Sequence, residues 1–436
     1  MARIVVVGGS LGGLFAANVL HRDGHDVTVL EKVRGSMNGR GAGIVSHDAL
    51  ESALGRAGLQ ADASLGVAVP GRVMLRSDGS TDTLLDMPQV LTSWSRLYQL
   101  LLAAFPAERY LQGTAVTRVE EHADGVTVHA ERDGQAQQWQ GDLVVASDGI
   151  RSVVRQQYFA QTQPRYAGYV AWRGVCDESV LSQHTLATLF PRFGFCMTDT
   201  EQIIGYPVAG PGNDLSPGRR AYNFVWYRPV AAGDALARLM TDADGVHHPQ
   251  GVPPNRVSWR HIAQARQEAQ RLLAPQFAEV IEKTAQPFFQ PIFDLQYDRL
   301  CAGRIAVMGD AAFVARPHIG MGVTKAAEDA VALADAIQLH GATREALQAF
   351  RGPQLHLFAG QDGLVPAEAA GELFALLPDI EIGLIEQASH AFARQRVHDH
   401  HLCGFRVALG RFHGHARGIT VYFLQGAGQG LRIAAD

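Results

Sequence analysis

Residues 4–17 read Ile-Val-Val-Val-Gly-Gly-Ser-Leu-Gly-Gly-Leu-Phe-Ala-Ala, and this stretch narrows the possible folds of the chain most. Four consecutive apolar β-formers, Ile4 to Val7, suit a strand buried on both faces, as in a parallel sheet. Gly8, Gly9, Ser10, Leu11, Gly12 and Gly13 then make a tight turn. Leu14 to Ala17 opens a helix whose apolar side returns to the sheet. A strand, a glycine turn and a helix start, in that order, make an anion site. Backbone N–H groups approach a pyrophosphate there, and the helix end favours its charge.

The usual pattern is G-x-G-x-x-G, and Ser10 stands at its second glycine. A second strand, Asp26 to Glu31, supports the reading, because it ends in a carboxylate at the distance expected of a ribose ligand. Gly8 to Gly12 also matches G-x-S-x-G, the turn that carries a nucleophilic serine. At the first strand of a dinucleotide fold, that match is read as coincidence.

With 436 residues the chain has room for two or three domains. Its net charge of −5 argues against a nucleic-acid surface, which would need a basic stripe. Cys176, Cys196, Cys301 and Cys403 show no metal-type spacing, so reduced thiols and no metal site are expected. Met1-Ala2-Arg3 runs straight into the first strand, and no apolar run reaches the roughly 20 residues of a membrane span. The expected location is the cytoplasm.

After Glu31, a polar, glycine-dense loop runs from Lys32 to Gly43 and suits the middle of a bound dinucleotide. Val73–Leu75 and Thr83–Leu85, around Ser77-Asp78-Gly79-Ser80, read as a hairpin. Ser93 to Phe105 reads as a helix capped by Ser93, with Arg96 in its first turn. Short strands at Tyr110-Leu111, 115–119, 125–129 and 137–139 read as one small antiparallel sheet. A second informative stretch, Asp142 to Arg155, is a buried strand ending at Asp148-Gly149, with a helix from Ser152. Asp148 thus sits at the carboxyl edge of the sheet, where ligands bind in such folds. Residues 167–289 are mostly short strands that alternate aromatic with small or polar residues, which suits a sheet with one face on a cavity. A third stretch runs from Gly303 through Gly309-Asp310 and Pro317 to a long alanine-rich helix from about Val323. Asp310 is placed to accept hydrogen bonds from a polyol.

The three motifs are Gly8–Gly13 with Glu31, Asp148-Gly149 with Arg155, and Gly309-Asp310 with Pro317. In this order, they resemble those of the single-component flavin aromatic hydroxylases, the family of p-hydroxybenzoate and salicylate hydroxylases. Tyr166 to Val175, Asn223 to Tyr227 and Arg316-Pro317-His318 are similar to the branch acting on 2,6-dihydroxypyridine. The resemblance covers residues 1 to about 353. It implies an α/β fold with a Rossmann-like (GR2-type) FAD-binding domain, an antiparallel-sheet substrate domain and an atypical C-terminal segment. The FAD domain would comprise 1–70, 93–165 and 291–352. The substrate domain would comprise 71–92 and 166–290, leaving 353–436 as the tail.

The resemblance also implies FAD as cofactor and NAD(P)H as co-substrate. Gly8, Ser10, Leu11, Gly12, Gly13, Leu14 and Glu31 would hold the adenosine and pyrophosphate. Lys32, Val45, Arg96 and Val116 complete that surface. Asp310 would meet the ribityl chain, and Gly320, Met321, Gly322 and Val323 would lie against the flavin ring. Asp148 would serve both FAD and NAD(P)H. The family's common histidine after Gly-Asp-Ala-Ala is Phe313 here, and its usual loop glutamine is Met321. The implied reaction inserts oxygen from O2 into a small hydroxylated aromatic or N-heteroaromatic ring through a flavin C4a-hydroperoxide. A hydroxynicotinate or a larger phenol is the alternative substrate. Such chemistry needs a base with a pKa near neutrality. His47 and His318 are the candidates, with Tyr206 as hydrogen-bonding partner; each histidine also reads as an ordinary loop residue. Trp172, Phe224 and Trp226 either wall the pocket or are core, and Arg173 reads as a buried structural ion-pair partner in preference to a substrate ligand. A homodimer is compatible with this reading.

From Leu355 the chain changes character. Asp362 and His390 look like the last two members of an α/β-hydrolase triad, but no believable serine turn precedes them. A packing module, a hydrolase remnant and a terminus without chemistry compete, and a non-catalytic role is expected. A hydrolase or binding module with a vestigial flavin domain is the alternative from another class.

Overall fold

The computed structural model describes residues 1–350, apart from 36, 38–42, 47, 296–298, 315 and 318–319. The expectations for Asp362, His390 and the tail therefore lie outside the described residues, as do His47 and His318.

The first sheet has six strands. Their order is Cys301–Ala302, Ile305–Val307, Leu143–Ala146, Arg3–Val7, Asp26–Glu31 and Tyr110–Gln112. All neighbours are parallel except the Cys301–Ala302 pair. Arg3–Val7 sits at the centre, with Val6 opposite Val29 on one side and Val145 on the other. The helices Leu11–Arg22, Trp94–Ala104 and Gly322–His340 pack with it into one core. Because the four inner strands are parallel, their carboxyl ends share an edge. Gly8, Ser147 and Gly309 therefore start three loops at that edge, where ligands bind in such folds.

The second sheet has eight strands. They run Phe288–Asp294, Arg165–Asp177, Ala221–Pro229, Gln202–Val208, Phe193–Met197, Val67–Leu75, Thr81–Ser93 and Gly43–Val45. Its register sorts the aromatic residues. Trp172 faces Trp226, which faces Ile203, on the side covered by the helices Trp259–Leu272 and Pro275–Lys283. One residue on, Arg173 faces Val225, Val225 faces Ile204, and Ile204 faces Phe195, on the opposite side. Trp172, Phe224 and Trp226 are thus core.

The third sheet, Thr114–Glu121, Val126–Arg132 and Gln135–Gly141, is antiparallel as expected. Tyr110-Leu111 is not part of it. Gly113, at φ +70°, turns the chain, its N–H donating to Val33 O. The preceding strand is left at the edge of the parallel sheet, opposite Val29 and Leu30. The expected caps are present: Ser93 Oγ accepts from Arg96 N at 3.1 Å and Ser152 Oγ from Arg155 N at 2.8 Å. Each stabilises its helix by about 1 kcal/mol.

Candidate active site

Close backbone approach builds the site. Gly8 has φ +98°, and a Cβ there would lie 2.5 Å from Ser147 O. At Gly12 a Cβ would lie 2.8 Å from Ser147 Oγ and 3.3 Å from Ala326 Cβ. Glycine therefore lets the first turn, the Ser147 loop and the helix Gly322–His340 meet. Two helix starts border the resulting cavity: Ser10, Leu11 and Gly12 from one, Gly322 and Val323 from the other. The first N–H groups of a helix have no partner within it, so both ends present donors to an anion. Gly149, Gly309, Asp310 and Gly320 complete this part of a cavity of about 910 Å³, near the upper end of ordinary small-molecule sites.

The charged groups beneath it are held tightly. Asp148 Oδ2 accepts from Val153 N at 2.8 Å, while its buried Oδ1 has no partner. Burial pushes its pKa up. Arg155 donates from Nη1 to Ala311 O at 2.9 Å and from Nη2 to Ile150 O. Asp310 is exposed to the cavity yet lies deep in the molecule. That depth raises its pKa, Lys325 opposes the shift and Asp329 adds to it. Lys325 Nζ lies 2.6 Å from Asp329 Oδ2, which also accepts from Gly309 N at 2.8 Å. This buried pair holds the start of the Gly309 loop.

The far wall is the open face of the second sheet. Phe193, Phe195, Ile204, Tyr206, Val225 and Tyr227 line it. Tyr206 stacks edge-on against Phe193, with centroids 4.9 Å apart. A Cβ at Gly43 would meet the Tyr206 ring at 2.2 Å, so glycine admits the ring here. Gly43 N also donates to Asn223 Oδ1 at 3.0 Å, tying the edge strand Gly43–Val45 to the strand Ala221–Pro229. Burial pushes the Tyr206 phenol well above its ordinary pKa, although the Arg173 charge opposes this. Arg173 also lines the cavity. The ion-pair partner expected for it is absent among the described residues.

Of the residues expected at the cofactor, Ser10, Leu11, Gly12, Val45, Asp310, Gly320, Gly322 and Val323 line this one cavity, as does Tyr206. Gly8 and Gly13 shape the turn without lining it; a Cβ on Gly13 would strike Gly8 O. Leu14 does not line the cavity: its side chain is buried core and its N–H donates to Ser10 O. Glu31 turns toward the glycine turn, accepting from Gly9 N at 2.7 Å and Val33 N at 2.8 Å. Lys32 is exposed, Arg96 is tied to Ser64, and Val116 packs at the edge of the core; none of the three lines the cavity. Asp148 and Met321 lie behind the lining, Met321 at the helix N-cap. Lys325, Asp329 and the locking role of Arg155 were missed. The i,i+4 spacing of Lys325 and Asp329 in an alanine-rich helix was their visible signal.

A family model for an FAD-binding domain matches residues 1–185, and one for an FAD-binding-like domain matches 166–294. The chain belongs to the FAD-dependent aromatic hydroxylases: it is an oxidoreductase and its cofactor is FAD. The 2,6-dihydroxypyridine 3-monooxygenase of Paenarthrobacter nicotinovorans is 32% identical over 356 residues, spanning 81% of this chain and 87% of that protein. The solved 2,6-dihydroxypyridine-3-hydroxylase of Arthrobacter nicotinovorans superposes with a TM-score of 0.74, at 30% identity, over 80% of this chain and 87% of that one. Klebsiella pneumoniae HpxO, solved with FAD and uric acid, gives a TM-score of 0.62 at 25% identity, over 80% and 83%. Among the described residues, no helix is long and apolar enough to cross a membrane.

The residues present fit FAD. Two helix starts face one cavity, glycine at position 12 leaves room for close approach, and Asp310 offers an acceptor inside it.

Proposed function

We propose that this protein hydroxylates a small aromatic or N-heteroaromatic ring that already bears a hydroxyl group, consuming NAD(P)H and O2. A 2,6-dihydroxypyridine-like ring is the substrate suggested by the likeness to the two dihydroxypyridine hydroxylases, at 32% and 30% identity. The carrying observation is that helix starts suited to a dinucleotide and an aromatic sheet face with Tyr206 enclose the same cavity.

In this reading the amides at Ser10 to Gly12 bind the pyrophosphate. Glu31 keeps lone pairs for a ribose hydroxyl, because two backbone donors occupy only half of its acceptor capacity. Asp310 receives the ribityl hydroxyls, and Gly320 to Val323 border the flavin ring. Bound FAD supplies the electron transfer and the activation of oxygen. The sheet face excludes water and orients the ring. Tyr206 stays protonated near neutral pH, so it holds the ring's oxygen substituent by a hydrogen bond and does not act as the base. His47 and His318 are assigned as proton acceptors. Val45 on one side, and Pro317 and Gly320 on the other, flank them in sequence and line the cavity.

The test is coupled product formation by the FAD-loaded protein with 2,6-dihydroxypyridine, 6-hydroxynicotinate and simple phenols. Substrate-stimulated NAD(P)H oxidation with hydroxylated product is expected. Oxidation without product from any ring would overturn the reading.

A further inference from the structure

Much of the cavity wall is regular structure. Phe288 to Phe293 line it from a strand paired with Arg165–Asp177, and Gly322 and Val323 line it from a helix start. The segment Pro249-Gln250-Gly251-Val252-Pro253-Pro254 differs. All six residues line the cavity, yet 249–253 form neither strand nor helix. Pro249, Gln250 and Pro254 are exposed, and Val252 is the one buried residue of the six. Its three prolines lack an N–H and fix φ, so the segment is a stiff strap with few donors for a ladder. Both ends of this strap are tied to one side chain. Asp242 Oδ2 accepts from His248 Nε2 at 2.7 Å, just before the strap, and from Arg256 Nε at 2.8 Å, just after it. Asp242 Oδ1 accepts from Asp244 N and Val246 N, both at 2.9 Å. The Asp242 side chain is 0% exposed and does not line the cavity. At the middle of the strap, Gln250 O accepts from Arg151 Nη2, which belongs to the loop after Leu143–Ala146. Pro254 O accepts from Gln286 Nε2 at 2.9 Å.

We propose that the strap 249–254 is the door to the flavin cavity and that Asp242 is the positioning residue that holds it shut. This requires only that FAD occupies the cavity, so it stands apart from the choice of ring. Hydrogen bonds from charged donors to a carboxylate are short and strong. The Asp242 knot therefore keeps the two ends of the strap together and lays the stiff segment across the mouth of the cavity. Opening separates Gln250 O from Arg151 and leaves both sheets and both helix starts intact. A strap without a ladder is the part of the wall that moves at the lowest cost.

The experiment compares the FAD-loaded unmodified chain with Asp242→Asn, which keeps the shape and removes the charge, Arg256→Gln, which loosens one end of the strap, and Arg151→Gln, which frees its middle. Two rates are read from the flavin absorbance: reduction of the bound flavin by dithionite, and association and dissociation of 2,6-dihydroxypyridine. Each variant should speed dithionite reduction about 3- to 10-fold, the scale of one weakened hydrogen bond. Association and dissociation of the ring should rise by a common factor, leaving Kd within about 2-fold, and FAD content should hold. Faster dissociation with unchanged association would make the strap a ring contact and overturn the door. Lower melting temperature or FAD content with unchanged rates would leave Asp242 a purely structural role and overturn the proposal as well. Arg256→Gln and Arg151→Gln carry the test if Asp242→Asn fails to fold. The dithionite rate needs no ring, so it decides the proposal even where failure of the unmodified protein to bind the ring counts against the hydroxylase reading.

Discussion

Arg155 Nη1 donates to the carbonyl of Ala311 at 2.9 Å, across 156 positions of sequence. Its Nη2 holds Ile150 O, so one guanidinium fastens the loop after Leu143–Ala146 to the loop after Ile305–Val307. The loops it joins are those that carry Asp148 and Asp310.

Arg155→Met should therefore release both loops and leave two carbonyls short of a donor. Each charged hydrogen bond contributes about 1.5–3 kcal/mol, so the melting temperature should fall by several degrees. Retention of FAD should weaken as well, because Asp310 follows the freed segment. Thermal unfolding with and without added FAD measures both. Unchanged flavin affinity would remove Arg155 from the architecture of the site.

Asp310 combines function with a cost to stability. Burial raises its pKa, so the folded chain keeps a proton that the unfolded chain gives up. Stability of the FAD-free protein should thus fall as pH rises from the unfolded value of about 3.9 through the folded one, with the full cost present above it. Asp310→Asn removes that cost. The FAD-free variant should melt higher than the parent near neutral pH, and the gap should close in acid. FAD affinity should drop at the same time. A melting difference that does not depend on pH would refute this account.

The strand, the glycine turn and the Asp loops were legible because each couples a hydrophobic run to residues with special backbone or hydrogen-bonding needs. The face of a strand was harder to read. Trp172 and Arg173 are neighbours, and nothing local says which one points at the cavity. The helices Trp259–Leu272 and Pro275–Lys283 decide it by covering the Trp172 side. Tyr110 misled for a similar reason: its short strand reads as part of the next sheet until Gly113 is seen to turn the chain. Glu31 ends the strand Asp26–Glu31, as its position in the sequence implies. Its direction, toward Gly9 and Val33, depends on backbone donors that sequence does not display.

Tyr206→Phe deletes only the hydroxyl from a ring already packed against Phe193 and Gly43. FAD content and melting temperature should stay close to those of the parent. Product formation should slow by roughly 10-fold or more, the scale of one hydrogen bond aimed at the reacting ring. The ratio of product to NAD(P)H consumed reports this directly. A full yield at full speed would mean that the Tyr206 hydroxyl serves the ring in no way.

The buried pair behind the cavity gives a sharper test of how the site is supported. Asp329 shares one oxygen between Lys325 Nζ and Gly309 N, while its other oxygen, Oδ1, is buried without a partner. Removing the cation alone strands that carboxylate, so Lys325→Met should destabilise the protein by about 3–5 kcal/mol. Replacing both partners, Lys325→Met with Asp329→Asn, should cost clearly less than the sum of the single changes, because no buried charge is left over. The Asn side chain still accepts from Gly309 N, so FAD retention should recover in the double variant relative to Lys325→Met. Denaturant unfolding of the four proteins closes the cycle. Simple additivity would show that the two side chains act independently and that Gly309 is positioned by the backbone alone.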